Sequence, residues 1–104
     1  MIRHCVFIQF RSHVGRSERD QIFGDVARLQ HHLAGILSVS AGANVSPEVG
    51  MDRGFSDGFV IDFIDAAARD EYLADAAHQR VGARIVEAAQ DGVAGVFVFD
   101  LEIA

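Results

Sequence analysis

The sequence contains one cysteine, one proline and no tryptophan among its 104 residues. The lone cysteine, Cys5, excludes an internal disulfide and is typical of a protein in a reducing cytoplasm, which is the location we predict. Cys5 also has no second cysteine with which to exchange disulfides or share a metal. We therefore favour an inert, buried thiol over a nucleophile.

Long apolar runs are also missing. No segment approaches the roughly 20 apolar residues that span a bilayer. The apolar N-terminal stretch is interrupted by Gln9 and Arg11 and lacks a small-residue cleavage pattern, so it predicts a strand and not a signal peptide.

Basic residues are fewer than acidic ones, nine against fifteen, and the formal net charge is -6. The chain therefore lacks the positive field that neutralises phosphates in nucleic-acid complexes. An anionic membrane surface is disfavoured for the same reason. We predict neither a nucleic acid nor a membrane as a partner.

The remaining composition is that of a globular protein. Half of the residues are hydrophobic and 23% are charged, so nothing indicates disorder. A chain of this length can bury one core. The sequence therefore predicts one domain over residues 1–104.

The first half of the chain predicts a strand, a helix and a second strand. Apolar side chains alternate over residues 2–11, which indicates the first strand. Ser17 and Asp20 resemble a capping box for a helix that continues to Gly35. Residues 37–45 alternate again, with small side chains that suit an edge strand or a close approach of another segment. Residues 46–58 collect Ser, Pro, Gly and Asp and predict the main loop.

The second half predicts a strand, a long helical region and a last strand. Alternate aromatic and aliphatic residues follow the loop from Phe59, and Asp65 is a suitable cap for a helix that starts at Ala66. The helical pattern continues to about Ala89, with Asp75 as a possible second cap. Residues 93–103 then alternate. The predicted class is α+β with the ferredoxin-like order βαββαβ and a four-stranded antiparallel sheet.

Two helices can cover only one face of this sheet. The other face would still carry apolar side chains, among them Phe7, Val60, Phe97 and Phe99. An uncovered apolar face of this size predicts a partner, and the simplest is a second copy packed sheet to sheet about a two-fold axis.

The most chemically suggestive pair is Tyr72 and His78, six residues apart in the second helical region. On a continuous helix they would point about 240° apart, so they share a face only if the helix breaks between them. Asp75 would cap the second segment at such a break.

Four sequence segments together resemble the stress-responsive dimeric α/β-barrel (Dabb) family, which includes the plant olivetolic acid cyclase. They are RHCVFIQF with its early His4, the aromatic-led FSDGFVIDF, the spacing YLADAAH, and VFVFD near the end. The resemblance spans nearly the whole chain. It implies a dimer in which two sheets form a shared α+β barrel.

The resemblance also implies a site in a cavity between the helices and the sheet. By comparison with the plant cyclase, His78 would be the base that removes a carbon-bound proton, and Tyr72 would orient or polarise the substrate carbonyl. Neutral histidine suits a base because its pKa lies near working pH. The remaining cavity positions would be His4, Val6, Ile8, Phe23, Asp57, Phe59, Ile61, Val81, Val96 and Val98.

This chain departs from the cyclase at two places. Asp57 stands where the cyclase has a second cavity histidine, and Asp75-Ala76 replaces a His-Pro pair. Structural roles for the same residues also remain open: Tyr72 as a packing aromatic, His78 as a helix-end residue, and His4 as a core histidine with satisfied hydrogen bonds.

Three functions are therefore left. The first is a homodimer that binds a small apolar or aromatic molecule bearing a carbonyl. The second is a cofactor-independent enzyme of the cyclase, isomerase or oxygenase kind, which the fold alone does not decide. The third is a structural stress-response dimer.

Metal and cofactor sites are not predicted. His31 and His32 point about 100° apart on a helix and lack the i, i+4 spacing of helical ligands, so an interaction with the helix dipole explains them better. No glycine-rich phosphate loop follows a strand. Asp62 and Asp100 suggest charge pairs, or a cation site between subunits.

Overall fold

The structure is a computed structural model that describes all residues from 1 to 104. Its elements follow the predicted order, with the second helical region divided in two. They are β1 (Ile2–Ile8), α1 (Arg16–Arg28), β2 (Ile36–Ala43), β3 (Asp57–Phe63), α2 (Ala66–Ala74), α3 (Ala76–Ala88) and β4 (Val96–Glu102), with 3₁₀ turns at Leu29–His31 and Gly92–Gly95.

The four strands form one antiparallel sheet in the order β2-β3-β1-β4. This arrangement confirms the ferredoxin-like α+β prediction and places β2, with its small side chains, at an edge. The register pairs His4 with Ile61 on one side and with Asp100 on the other. Residues distant in sequence therefore meet on one face.

One sheet face packs against the helices and forms the core. Alternate residues of β1 and β3 are buried, as a strand with one covered face requires. The core cluster contains 18 residues, including Ile8, Ile61 and Phe63, which are fully enclosed. None of the three α-helices has the length and hydrophobicity of a transmembrane span.

Helix α1 begins one residue earlier than its predicted cap. Its N-cap is Gly15, which has extended backbone angles and no side-chain hydrogen bond. Ser17 lies inside the first turn, and Asp20 accepts a hydrogen bond from Arg16 instead. The capping-box prediction was therefore wrong, because Arg16 already has helical geometry.

Strands β1 and β4 are shorter than their alternation predicted. Gln9 donates its backbone N–H to Gly95 and accepts one from Gln90, which draws the chain out of β1 toward the end of α3. Gly92 to Gly95 form a 3₁₀ turn before β4 begins. Asp91 and Gly92 both have positive φ, which alternation of side chains cannot reveal.

The opposite sheet face is open. Phe7, Phe97, Phe99 and Leu101 lie on it and are each 40–50% exposed. Phe97 stacks on both Phe7 and Phe99, with ring centroids 6.3 and 6.4 Å apart. The predicted uncovered apolar face is thus present, because all three helices lie on the other side of the sheet.

Candidate functional site

The break between α2 and α3 brings Tyr72 and His78 together. Asp75 ends α2 with extended backbone angles, and its carboxylate accepts the backbone N–H of His78 at 2.9 Å. This cap starts α3 in a new direction. The two ring centroids are 4.0 Å apart. The predicted cap at Asp75 is confirmed, and it acts here without a following proline.

Tyr72 is buried among aromatic rings. Only 2% of the residue is exposed, and its ring centroid lies 5.1 Å from that of Phe63 and 5.5 Å from that of His4. Its hydroxyl forms no hydrogen bond within the chain. Burial, and then the negative charge of Asp100, raise the pKa of Tyr72 well above its ordinary value of 10.0. The hydroxyl therefore stays protonated and can donate a hydrogen bond.

His78 has the only buried side-chain nitrogen or oxygen without a hydrogen-bond partner, its Nδ1 atom. Burial and the proximity of His4 lower the pKa of His78, against the opposing effects of the Leu73 carbonyl and the Asp75 carboxylate. The imidazole is therefore neutral at pH 7. A buried polar atom without a partner costs about 1–3 kcal/mol, so its presence calls for an explanation.

A third polar group, the His4 and Asp100 pair, lies against Tyr72. Their Nδ1 and Oδ1 atoms are 2.6 Å apart, and Arg69 donates to the other Asp100 oxygen at 2.9 Å. Although burial acts to raise it, hydrogen bonds from His4 and Arg69 hold the pKa of Asp100 below its ordinary value. An ionised carboxylate only accepts, so the proton of His4 lies on Nδ1.

The predicted cavity between helices and sheet is occupied by these rings. Three cavities lie elsewhere on the molecule, and none of these three is lined by His4, Tyr72 or His78. The aromatic contacts among the three residues and Phe63 account for this closure.

The other predicted cavity positions divide into two groups. Seven of them lie in the core or pack against it: Val6, Ile8, Phe23, Phe59, Ile61, Val81 and Val96. Val81 also lines a groove between α1 and α3. Val98 lies outside the core and is 54% exposed.

Asp57 is not brought beside the pair. It opposes Ile8, whereas His4 opposes Ile61, four residues or about 13 Å along the strand. Its buried carboxylate accepts hydrogen bonds from Arg16 at 2.7 Å, Arg19 at 2.9 Å and the Ser56 hydroxyl at 2.8 Å. Burial acts to raise its pKa, but these hydrogen bonds hold the pKa of Asp57 below its ordinary value.

Sequence reasoning missed two features. It identified Asp100 as part of a charge pair but not as the partner of His4, because only the strand register shows that they are opposite. It also did not foresee an apolar cavity of about 560 Å³ between the β2–β3 connection and the open sheet face. That cavity is lined by Phe7, Phe55, Phe97, Met51 and neighbouring residues.

The remaining charged candidates form pairs. Asp62 accepts two hydrogen bonds from Arg3, at 2.8 and 3.1 Å. His32 contacts the Asp75 carboxylate at 3.0 Å. No group of three or more His, Cys, Asp or Glu side chains lies close enough to hold a metal ion.

Comparison with known proteins identifies the family. The sequence matches the Stress responsive A/B Barrel Domain, Dabb, over residues 2–103. The chain belongs to the Dabb family. A dimeric ferredoxin-like protein of unknown function from Jannaschia sp. CCS1 is 30% identical, with 98% of each chain covered and a TM-score of 0.82.

Two enzymes share the fold of this Dabb protein. A hydroxynitrile lyase from Passiflora edulis is 20% identical, with 99% of this chain and 93% of that chain covered and a TM-score of 0.84. An antibiotic biosynthesis monooxygenase is 12% identical, with 100% of this chain and 99% of that chain covered and a TM-score of 0.74. These identities establish a common fold alone. Among proteins with curated descriptions, none matches this chain.

Proposed function

We propose that this Dabb protein is a homodimer that binds a small apolar or aromatic carbonyl compound at Tyr72 and His78. The observation that carries the proposal is the buried, unpartnered Nδ1 atom of His78, whose ring centroid lies 4.0 Å from that of Tyr72. A carbonyl oxygen would accept a hydrogen bond from the neutral Tyr72 hydroxyl. The surrounding Phe63 and His4 rings would contact the apolar part of the ligand.

The dimer is supported by the open sheet face. Four exposed apolar residues, Phe7, Phe97, Phe99 and Leu101, form a continuous patch there. Their burial against a second copy would remove apolar surface from water. The 30% identical Jannaschia protein is described as dimeric, which is consistent with this arrangement.

Ligand entry requires movement, because the rings now fill the space. The joint at Asp75 is a natural hinge, since α2 and α3 are separate rigid helices with one extended residue between them. A ligand would separate Tyr72 from His78 and take the place of their mutual contact.

Binding can be tested with two probes of similar shape, acetophenone and ethylbenzene, of which only the first has a carbonyl. In NMR titrations of the wild-type protein, we expect acetophenone to bind more tightly and to shift the resonances of α2 and α3. In Tyr72→Phe the preference for acetophenone should disappear. Equal affinity of the wild type for both probes, or binding of neither, would refute the carbonyl site.

A second candidate function is proton abstraction next to a carbonyl, with His78 as the base. It is favoured by the lowered pKa of His78, which leaves the imidazole neutral at pH 7. The carbon-bound proton would pass to His78, and the Tyr72 hydroxyl would stabilise the resulting enolate oxygen.

This reaction can be followed as exchange of the acetophenone methyl protons in D₂O. We expect exchange above the buffer rate in the wild type and none in His78→Gln. Binding without exchange would support the binding function and reject proton abstraction. A dimer that neither binds nor exchanges would favour the third function, a structural stress-response protein.

A further inference from the structure

The groove between α1 and α3 is unusually rich in arginine for an acidic protein. Arg28 on α1 and Arg80 and Arg84 on α3 line a space of about 380 Å³ together with His32. The only carboxylate among its lining residues is Asp25. Three guanidinium groups therefore meet one carboxylate in a chain whose net charge is -6.

The pairing within the groove leaves a positive charge uncompensated. Asp25 accepts hydrogen bonds from Arg28 and, at 2.7 Å, from Arg84. Arg80 forms no hydrogen bond or ion pair within the chain, whereas Arg3, Arg16, Arg19 and Arg69 are all paired with aspartates. Like charges held close together are costly unless an anion joins them.

The groove also has an apolar part. Its apolar lining residues are Leu29, Ala77 and Val81, of which Leu29 is buried. A guanidinium group binds the oxygen atoms of phosphate or carboxylate with two parallel hydrogen bonds. The volume lies in the range of small-molecule sites, and the overall negative charge disfavours an extended polyanion.

We propose that this groove binds the oxyanion group, phosphate or carboxylate, of a small molecule whose apolar part lies on Leu29, Ala77 and Val81. Arg80 is the principal contact because its guanidinium is free, and Arg28 and Arg84 assist. The groove is not lined by Tyr72, His78 or His4. The proposal therefore does not depend on the function proposed above.

Calorimetric titration at low ionic strength tests the site with phenyl phosphate, inorganic phosphate, benzoate and neutral phenol as probes. We expect saturable binding of at least one aromatic anion, weaker binding of inorganic phosphate because it lacks the apolar part, and no binding of phenol. Whichever of phenyl phosphate and benzoate binds more tightly shows whether the groove prefers phosphate or carboxylate. Absence of saturable binding by both at millimolar concentration would overturn the proposal.

Three variants locate the binding in the groove. Arg80→Gln should weaken affinity about tenfold, as the loss of a charge-assisted hydrogen bond does. Asp25→Asn should strengthen it, because the competing carboxylate is removed. The matched control is Arg53→Gln, which removes an equally unpaired arginine from the β2–β3 connection. Equal weakening by Arg53→Gln and Arg80→Gln would show a general charge effect and reject the groove as the site.

Discussion

Tyr72 and His78 are separated by five residues, yet their ring centroids lie 4.0 Å apart because Asp75 interrupts the helix between them. Asp75 is the C-cap of α2 and the N-cap of α3. Asp75 caps α3 through His78, and the same carboxylate contacts His32 at 3.0 Å. Asp75 therefore takes part in the geometry of the candidate site, although it is not one of the two ring residues.

Replacement of Asp75 by alanine should both destabilise the protein and separate the rings. Without the cap, the melting temperature should fall by about 4–8 °C, the typical effect of a lost N-cap in a domain of this size. Loss of the cap should also allow α2 and α3 to join, so NOE contacts between Tyr72 and His78 should disappear. Thermal unfolding and NMR measure the two effects.

The matched control for Asp75→Ala is Asp65→Ala. Asp65 caps α2 by accepting the Ala68 N–H at 2.8 Å, so its loss should lower stability but leave the Tyr72 and His78 contact intact. Asn caps as well as Asp, so Asp75→Asn should restore both properties. Retention of the ring contact in Asp75→Ala would show that packing, and not the cap, creates the break.

The lowered pKa of His78 predicts a loss of stability on mild acidification. In the folded protein the ring takes up a proton less readily than its ordinary pKa of 6.5 implies. The unfolded chain therefore binds more protons as the pH falls below 6.5, and the folded state loses stability down to the lower, folded pKa. Urea denaturation between pH 8 and pH 5 should show this loss in the wild type.

The pH effect should be much reduced in His78→Gln. His13→Gln is the control, because His13 is exposed and forms no side-chain hydrogen bond. Asp57, Asp62 and Asp100 have lowered pKa values and stabilise the fold above their ordinary value of 3.8, so their contribution is lost only at lower pH. If the free energy of unfolding of His78→Gln depends on pH as strongly as that of the wild type, another group causes the effect.

Replacement of Asp100 by asparagine should remove the charged partner of both His4 and Arg69. We expect the free energy of unfolding to fall by about 1.5–3 kcal/mol, the range for hydrogen bonds to charged groups. Asp70 contacts the same arginine but is 66% exposed, so Asp70→Asn should cost at most about 1 kcal/mol. Urea titrations at pH 7 compare the two variants. An equal loss in free energy of unfolding would contradict a special role for the pair of His4 and Asp100.

Introduction of a charge on the open face should dissociate the proposed dimer. Phe99→Asp places a carboxylate within the aromatic patch, where dimerisation would have to desolvate it. Val98→Asp is a matched control, because Val98 is the neighbouring residue and is similarly exposed at 54%. It opposes the core residue Val6 and so lies on the helix side of the sheet. Sedimentation equilibrium should show a monomer for Phe99→Asp and the wild-type mass for Val98→Asp. Equal behaviour of the two variants would place the interface elsewhere.

Local patterns in the sequence determined the order of elements and the orientation of the strand faces. Alternation placed Phe97 and Phe99 opposite Val98 because successive strand side chains point to opposite sides. Asp65 and Asp75 identified helix starts because a cap acts within three residues. The capping box at Ser17 failed because Gly15 can supply the same extended backbone without a side-chain bond.

The pairings across the molecule were decided only by the tertiary structure. His4 and Asp100 are 96 residues apart, and their contact depends on the register of β1 against β4. The closure of the space around Tyr72 and the gathering of arginines between α1 and α3 depend on how closely helices pack. Periodicity gives the face of a helix or strand on which a residue lies. It does not give the distance between that face and the face of another element, because that distance is set by the combined packing of side chains from every element.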